Sequence, residues 1–201
     1  MKILFLEDRP SRQRIFLPQK DKDVEKIKSL DNLTMPEGSE CKEILSEINQ
    51  GKYNFSEGLQ LIIIHKSALK TEGLKYLNDI CKEKKIKLVC YSGGTSQLIY
   101  NNDDFEMLNI NSTDFYSIRL IPFLERAVGG QIPHLVELAN QQWELSYLFL
   151  ARQILGSLKL ETDEYAKDNL HEKFERIQRI VNCPSDEKEL NKIIKEKILQ
   201  L

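Results

Sequence analysis

Histidine and cysteine are scarce in this chain, with three of the first and four of the second in 201 residues. Cys41, Cys81, Cys90 and Cys183 stand far apart with no CxxC spacing, so disulfide frameworks and zinc sites both lack their usual sign. They read as small apolar fillers, Cys90 inside a strand and Cys81 within a helix. Long hydrophobic runs are missing too. No stretch approaches the roughly 18 apolar residues of a spanning helix, and Glu7-Asp8-Arg9 cuts the N-terminal run too short for a signal peptide. A cytoplasmic protein without membrane contact is expected. Neither sign of charge dominates: a net charge of -2 with 30% charged residues offers no basic face, so nucleic acid is not expected as a partner.

Three short apolar runs are present, each ending in polar residues. Ile3-Leu4-Phe5-Leu6 ends in Glu7-Asp8, Leu61-Ile62-Ile63-Ile64 in His65-Lys66, and Leu88-Val89-Cys90-Tyr91 in Ser92-Gly93-Gly94. Such near-continuous apolarity is what burial on both faces of a parallel sheet demands. Ligands of these sheets bind outside the carboxyl ends of the strands, which makes the three polar ends one candidate rim.

Helical periodicity fills the spaces between the runs. A helix is expected from about Ser11. Over 22–35, Val24, Ile27 and Leu30 fit a helix, while Asn32 to Met35 fit a short second strand. Ser39 to Asn49 reads as a helix stopped by Gly51, and Thr71 as the cap of a helix carrying Leu74, Leu77, Ile80 and Cys81. A last strand is expected around Phe115 to Leu120, then a helix ending near Val128 at Gly129-Gly130. The pattern predicts an α/β fold with a doubly wound parallel sheet of about five strands over residues 1–128, and an all-helical region over 131–201.

The segment Lys-Ile-Leu-Phe-Leu-Glu-Asp-Arg-Pro and the serine of Val-Cys-Tyr-Ser-Gly-Gly resemble the receiver domains of response regulators, which have a flavodoxin-like fold. The resemblance implies that Glu7 and Asp8 stand where receivers hold Mg²⁺, and Ser92 where they keep a Ser or Thr. It also implies that Ile121-Pro122-Phe123 keeps the proline of the family's Lys-Pro pair without its lysine, with Arg119 as a substitute two residues earlier. At the end of the third strand the phosphoacceptor aspartate is replaced by His65, with Lys66 behind it. A carboxylate nucleophile is thus missing, and an imidazole beside a lysine opposes a metal when protonated. Adjacent strand residues point to opposite faces, so only one of Glu7 and Asp8 is expected to face a common site.

Ser92-Gly93-Gly94-Thr95-Ser96 has a second reading. A glycine-rich turn between strand and helix presents backbone N–H groups, and hydroxyls beside it complete an anion cradle. It is similar to the Ser-Gly-Gly-x-Asp-Ser loop of ATP pyrophosphatases, but Ser96 takes the aspartate's place and Gln97 the final serine's. Ser92 lacks the Gly-x-Ser-x-Gly context of a nucleophile elbow, and His134 and His171 fall in the helical part.

Beyond the double glycine, one long helix is expected from Pro133 to Leu158. Its broad apolar face includes Trp143, Tyr147, Leu148, Phe149 and Ile154. A second spans 163–181, and a third starts after Ser185 and carries Leu190, Ile193, Ile194, Ile198 and Leu201. These helices suit a protein partner or self-association, and their mixed-sign faces do not suit DNA. The sequence thus reads as a non-catalytic regulatory or signalling protein with a pseudo-receiver domain, acting through protein contacts. No cofactor is expected, and Mg²⁺ at Glu7 and Asp8 is the only metal implied. The alternative is a nucleotide- or phosphate-binding enzyme using Glu7, Asp8 and the Ser92-Gly93-Gly94 turn.

Overall fold

The computed structural model describes residues 1–95, 98–131, 133–139 and 143–199. The chain forms two compact units, Met1–Gln141 and Gln142–Leu201. The first holds strands β1 (Lys2–Leu6), β2 (Leu33–Thr34), β3 (Leu59–His65), β4 (Lys87–Ser92), β5 (Ile99–Asn101) and β6 (Met107–Asn111). Its helices are α1 (Ser11–Phe16), α2 (Asp21–Lys28), α3 (Gly38–Asn49), α4 (Thr71–Lys84), α5 (Ser112–Phe115) and α6 (Leu120–Val128). The strands form one sheet in the order β2-β1-β3-β4-β6-β5, parallel except for the antiparallel β5-β6 pair.

Strand alternation divides the apolar side chains into two cores. Ile3, Phe5, Leu61, Ile63, Val89, Leu108 and Ile110 pack against Val24 and Ile27 of α2 and Leu120, Phe123 and Leu124 of α6. Leu4, Leu6, Ile62, Ile64, Leu88 and Cys90 face Cys41, Leu45 and Ile48 of α3 and Leu77 and Cys81 of α4 on the opposite face. With helices on both faces, the runs 3–6, 61–64 and 88–91 of the central strands are buried, which explains their unbroken apolarity. The register shifts between Lys2 and Ile3, which pair with Leu59 and Leu61. Gln60 is the extra residue of this bulge, and so Leu59 joins the opposite core from Leu61.

Several expectations need correction. The last parallel strand is Met107–Asn111, not 115–120; Phe115 and Leu120 lie instead in α5 and α6. Asn109, buried in the middle of β6, breaks the apolar pattern that would have revealed it. The turn after Ser92 leads to the edge strand β5, not to a helix. Thr71 is the first residue of α4 and makes no side-chain cap; the cap position is Lys70. By contrast, α6 ends at Val128 as expected, and the left-handed residue of the double glycine is Gly130, at φ 91°. The expected helix over 133–158 is interrupted. Leu135–Leu138 form a 3₁₀ turn whose Leu135 and Leu138 belong to the sheet unit's core, and the boundary between units falls at 141/142 rather than at the double glycine. Ser96, Gln97 and Leu201 lie outside the described residues.

The second unit consists of α7 (Trp143–Leu160), α8 (Glu164–Ile180) and α9 (Glu187–Ile198). Leu148, Ala151 and Ile154 of α7 pack with Phe174 and Ile177 of α8 and Leu190 and Ile194 of α9. Asp163 caps α8 by accepting from the Ala166 N–H. Asp186, not Ser185, caps α9 by accepting from the Glu189 N–H. Ion pairs Lys159–Glu187 and Lys197–Glu144 tie α7 to α9. Among the described residues no helix is long and apolar enough to cross a membrane.

Candidate functional site

At the C-terminal rim of β1 and β3, one ligand atom from each of Glu7, Asp8 and His65 lies within 4.8 Å of the others. Glu7 and Asp8 both reach this cluster because β1 ends at Leu6 and the alternation of side chains ends with it, which corrects the expectation that only one would. His65, the last residue of β3, is 2% exposed, and its Nδ1 lies 2.6 Å from Asp8 Oδ1. Asp8 also faces the Arg9 guanidinium, with Nε at 3.6 Å from Oδ2.

Glu7 is buried and densely held. Its Oε2 accepts from the hydroxyls of Tyr91, at 3.1 Å, and Tyr116, at 2.5 Å. Its Oε1 accepts from the Arg9 backbone N–H at 2.8 Å and lies 3.9 Å from Arg12 Nη1. Phe115 stacks on Tyr91 with centroids 4.4 Å apart, and the two tyrosine hydroxyls are 3.2 Å from each other. Burial drives both tyrosines well above their ordinary pKa; the charges of Tyr116 and Glu7 push Tyr91 further up, and that of Glu7 pushes Tyr116 further up. Both therefore remain neutral donors to the carboxylate. Tyr91, Tyr116 and Arg12 were not expected as site residues. The available signals were a polar hydroxyl inside an otherwise apolar strand and an arginine five positions after Glu7.

Two carboxylates and an imidazole are a donor set of the kind that holds a divalent ion. The surroundings do not suit a hard cation, however. Both Glu7 oxygens already accept from protein donors, the Asp8–His65 bond closes the third side, and the guanidinium groups of Arg12 and Arg9 bring positive charge to Glu7 and Asp8, respectively. Cys41 sits beneath this cluster, with Sγ 3.6 Å from the Glu7 carbonyl oxygen. Burial and the nearby Asp8 and Glu7 charges push its thiol up to about 11, which makes it inert.

The remaining candidate residues are partly assembled. Ser92 Oγ lies 2.9 Å from Ser67 Oγ and accepts from the Gly94 N–H at 3.3 Å, while the Thr95 N–H bonds to the Ser92 carbonyl. Asn111 Nδ2 donates to the carbonyls of Gly93, at 3.4 Å, and Thr95, at 3.0 Å. The turn thus bonds to itself and to β6, and two amides of the expected anion cradle are directed inward. His65 makes no hydrogen bond to Ser92 among the described residues, so no triad forms. Lys66 is exposed at the start of a 3₁₀ turn over Lys66–Ala68. Arg119 is directed elsewhere: it precedes α6, and its Nε donates to the Leu138 carbonyl at 2.9 Å.

A second buried polar cluster lies at the opposite end of the sheet, where β4 and β6 begin. Glu106 pairs with Lys87 at 2.5 Å and accepts from the Tyr100 hydroxyl at 2.9 Å and the Leu135 N–H at 2.6 Å. Lys87 also donates to the Pro133 carbonyl at 2.9 Å. These bonds fasten the 133–139 segment to the sheet, a structural role the sequence did not suggest.

No protein-family model, curated protein or solved structure matches this chain.

Proposed function

We propose that the chain is a non-catalytic regulatory protein whose sheet unit is a degenerate, flavodoxin-like receiver domain, and that it acts through protein contacts. The observation that carries this reading is Glu7, held on both oxygens by Tyr91, Tyr116 and the Arg9 N–H. A receiver leaves its acidic pair open to a metal, whereas here hydroxyls and guanidinium groups provide the neutralising contacts. The parallel strands, in the order β2-β1-β3-β4-β6, support the flavodoxin-like reading, with β5 as an added edge. His65 occupies the acceptor's place and is bonded to Asp8. The family's Lys-Pro place, at the end of the last parallel strand, falls on Asn111-Ser112, so Pro122 inside α6 is not its counterpart.

In this reading the rim is a fixed polar plug, and partners are met by surfaces around it or by the helical unit, as a protein partner or a second copy. The proposal is tested by incubating the full chain with acetyl phosphate and Mg²⁺, followed by intact-mass and thermal-shift measurements. Neither a phosphoryl adduct nor a Mg²⁺-dependent stabilisation is expected. An adduct on Asp8 or His65 would overturn the reading.

A further inference from the structure

The direction of strand succession reverses between β1 and β3: the chain passes from β1 outward to β2 on one side and from β3 to β4 on the other. In open α/β sheets the crevice at such a reversal is where loops part and ligands enter. A groove of about 400 Å³ opens there, between α3 and the segment that follows β3, and its walls carry Asp8, Lys42, Ser46, Asn49, Gln50 and Lys70. The volume is within the range of small-molecule sites, roughly 300 to 1,000 Å³.

Its walls are held in place. Asn49 Nδ2 donates to the Ala68 carbonyl at 3.0 Å, and Asn49 Oδ1 accepts from the Lys70 N–H at 2.7 Å, bracing α3 against the loop. Gly73 lets α4 approach this brace, since a Cβ there would lie 2.3 Å from Asn49 Oδ1. The charge on the walls is not balanced internally. Asp8 is engaged by His65 and Arg9, while Lys42 and Lys70 make no ion pair among the described residues. Two lysines that line one groove without an ion pair among the described residues suit a dianion, and lysine serves phosphate as a mobile point charge. No aromatic ring is among the lining residues, so nothing offers a base or a flavin a stacking surface. Ser46, Gln50 and Asp8 instead present hydroxyl, amide and carboxylate groups suited to hydroxyls.

We infer that this groove binds a hydroxyl-rich phosphate monoester of the sugar-phosphate class, its phosphate between Lys42 and Lys70. The site goes beyond the regulatory reading of the rim. Binding here is independent of phosphoryl transfer and of Mg²⁺, so either assignment can fail while the other stands.

The test is calorimetry and thermal shift on the full chain with glucose 6-phosphate, ribose 5-phosphate, adenosine monophosphate, glucose, ribose and inorganic phosphate. At least one sugar phosphate binds and raises the melting temperature, and it does so more strongly than its free sugar or inorganic phosphate. Lys42→Ala and Lys70→Ala each weaken binding by about tenfold, the loss of one charge-assisted contact, while Lys42→Arg retains it and Lys192→Ala changes nothing. Both lysines are exposed, so circular dichroism of the variants should match the parent. The assignment is overturned if no sugar phosphate binds, if inorganic phosphate or adenosine monophosphate binds as tightly, or if both alanine variants bind normally.

Discussion

Glu7 is the residue on which the rim depends, and Tyr116 is its closest partner. Removing one hydroxyl that donates to a charged acceptor costs about 1.5 to 3 kcal/mol, so Tyr116→Phe should lower stability by that amount in urea denaturation. Tyr91 and Tyr116 also contribute to the alkaline limit. Both tyrosines have folded-state pKa values raised above the ordinary 10.0, so above that pH the unfolded chain loses protons that the folded chain keeps. The tyrosines' contribution is complete below pH 10 and is lost as pH rises from there toward the folded values, adding to a decline that the buried Cys41, Cys81 and Cys90 thiols, also raised above their ordinary 9.0, begin about a unit lower. Tyr116→Phe removes one of the two groups, so the fall above pH 10 should be shallower in the variant, as followed by urea midpoints across pH. A parallel decline in both proteins would place the alkaline sensitivity elsewhere. Glu7, Asp8 and His65 were legible in the sequence because each lies at, or within two residues of, the end of an apolar strand. The tyrosines were not, since Tyr116 reaches Glu7 from 109 residues away and Tyr91 reads as one more apolar position of β4.

At the scale of elements, legibility followed burial. β1, β3 and β4 are covered on both faces and wrote themselves as apolar runs, whereas β2 and β5 have two and three residues, too few for a pattern. β6 was displaced in the reading because buried Asn109 interrupts it while Phe115, Tyr116 and Leu120 supply the stronger apolar signal just beyond. The cap of α4 was misplaced by one residue, and at both α4 and α9 a hydroxyl residue stands next to the true cap position. For α9 this has a measurable consequence. The Asp186 carboxylate accepts from the Glu189 N–H at 2.9 Å, while the Ser185 hydroxyl accepts from Gln178 Nε2 at 3.2 Å. Loss of such a cap costs about 0.5 to 2 kcal/mol. Asp186→Ala should therefore speed hydrogen exchange of the first turn of α9 in the full chain. Ser185→Ala should have the smaller effect on those amides, and the reverse ranking would make Ser185 the cap.

For the whole molecule, the position of the unit boundary decides what can be removed without harm. The double glycine looks like the natural end of the first unit, but the chain beyond it returns to the sheet. Leu135 and Leu138 are fully buried in the first core. Glu106, Lys87 and Arg119 bond the backbone of Leu135, Pro133 and Leu138, respectively. A chain ending at Gly130 loses two buried leucines, about 1.5 to 3 kcal/mol each, and exposes the Lys87–Glu106 pair to water. Against a total stability of roughly 5 to 15 kcal/mol for a domain, that loss brings the sheet unit close to unfolding. A chain ending at Gln141 keeps every one of these contacts. Urea denaturation should therefore show a cooperative transition for residues 1–141 and a midpoint far lower, or no transition, for residues 1–130. Equal midpoints would mean that the 133–139 segment is ornamental and that the double glycine is the true boundary after all.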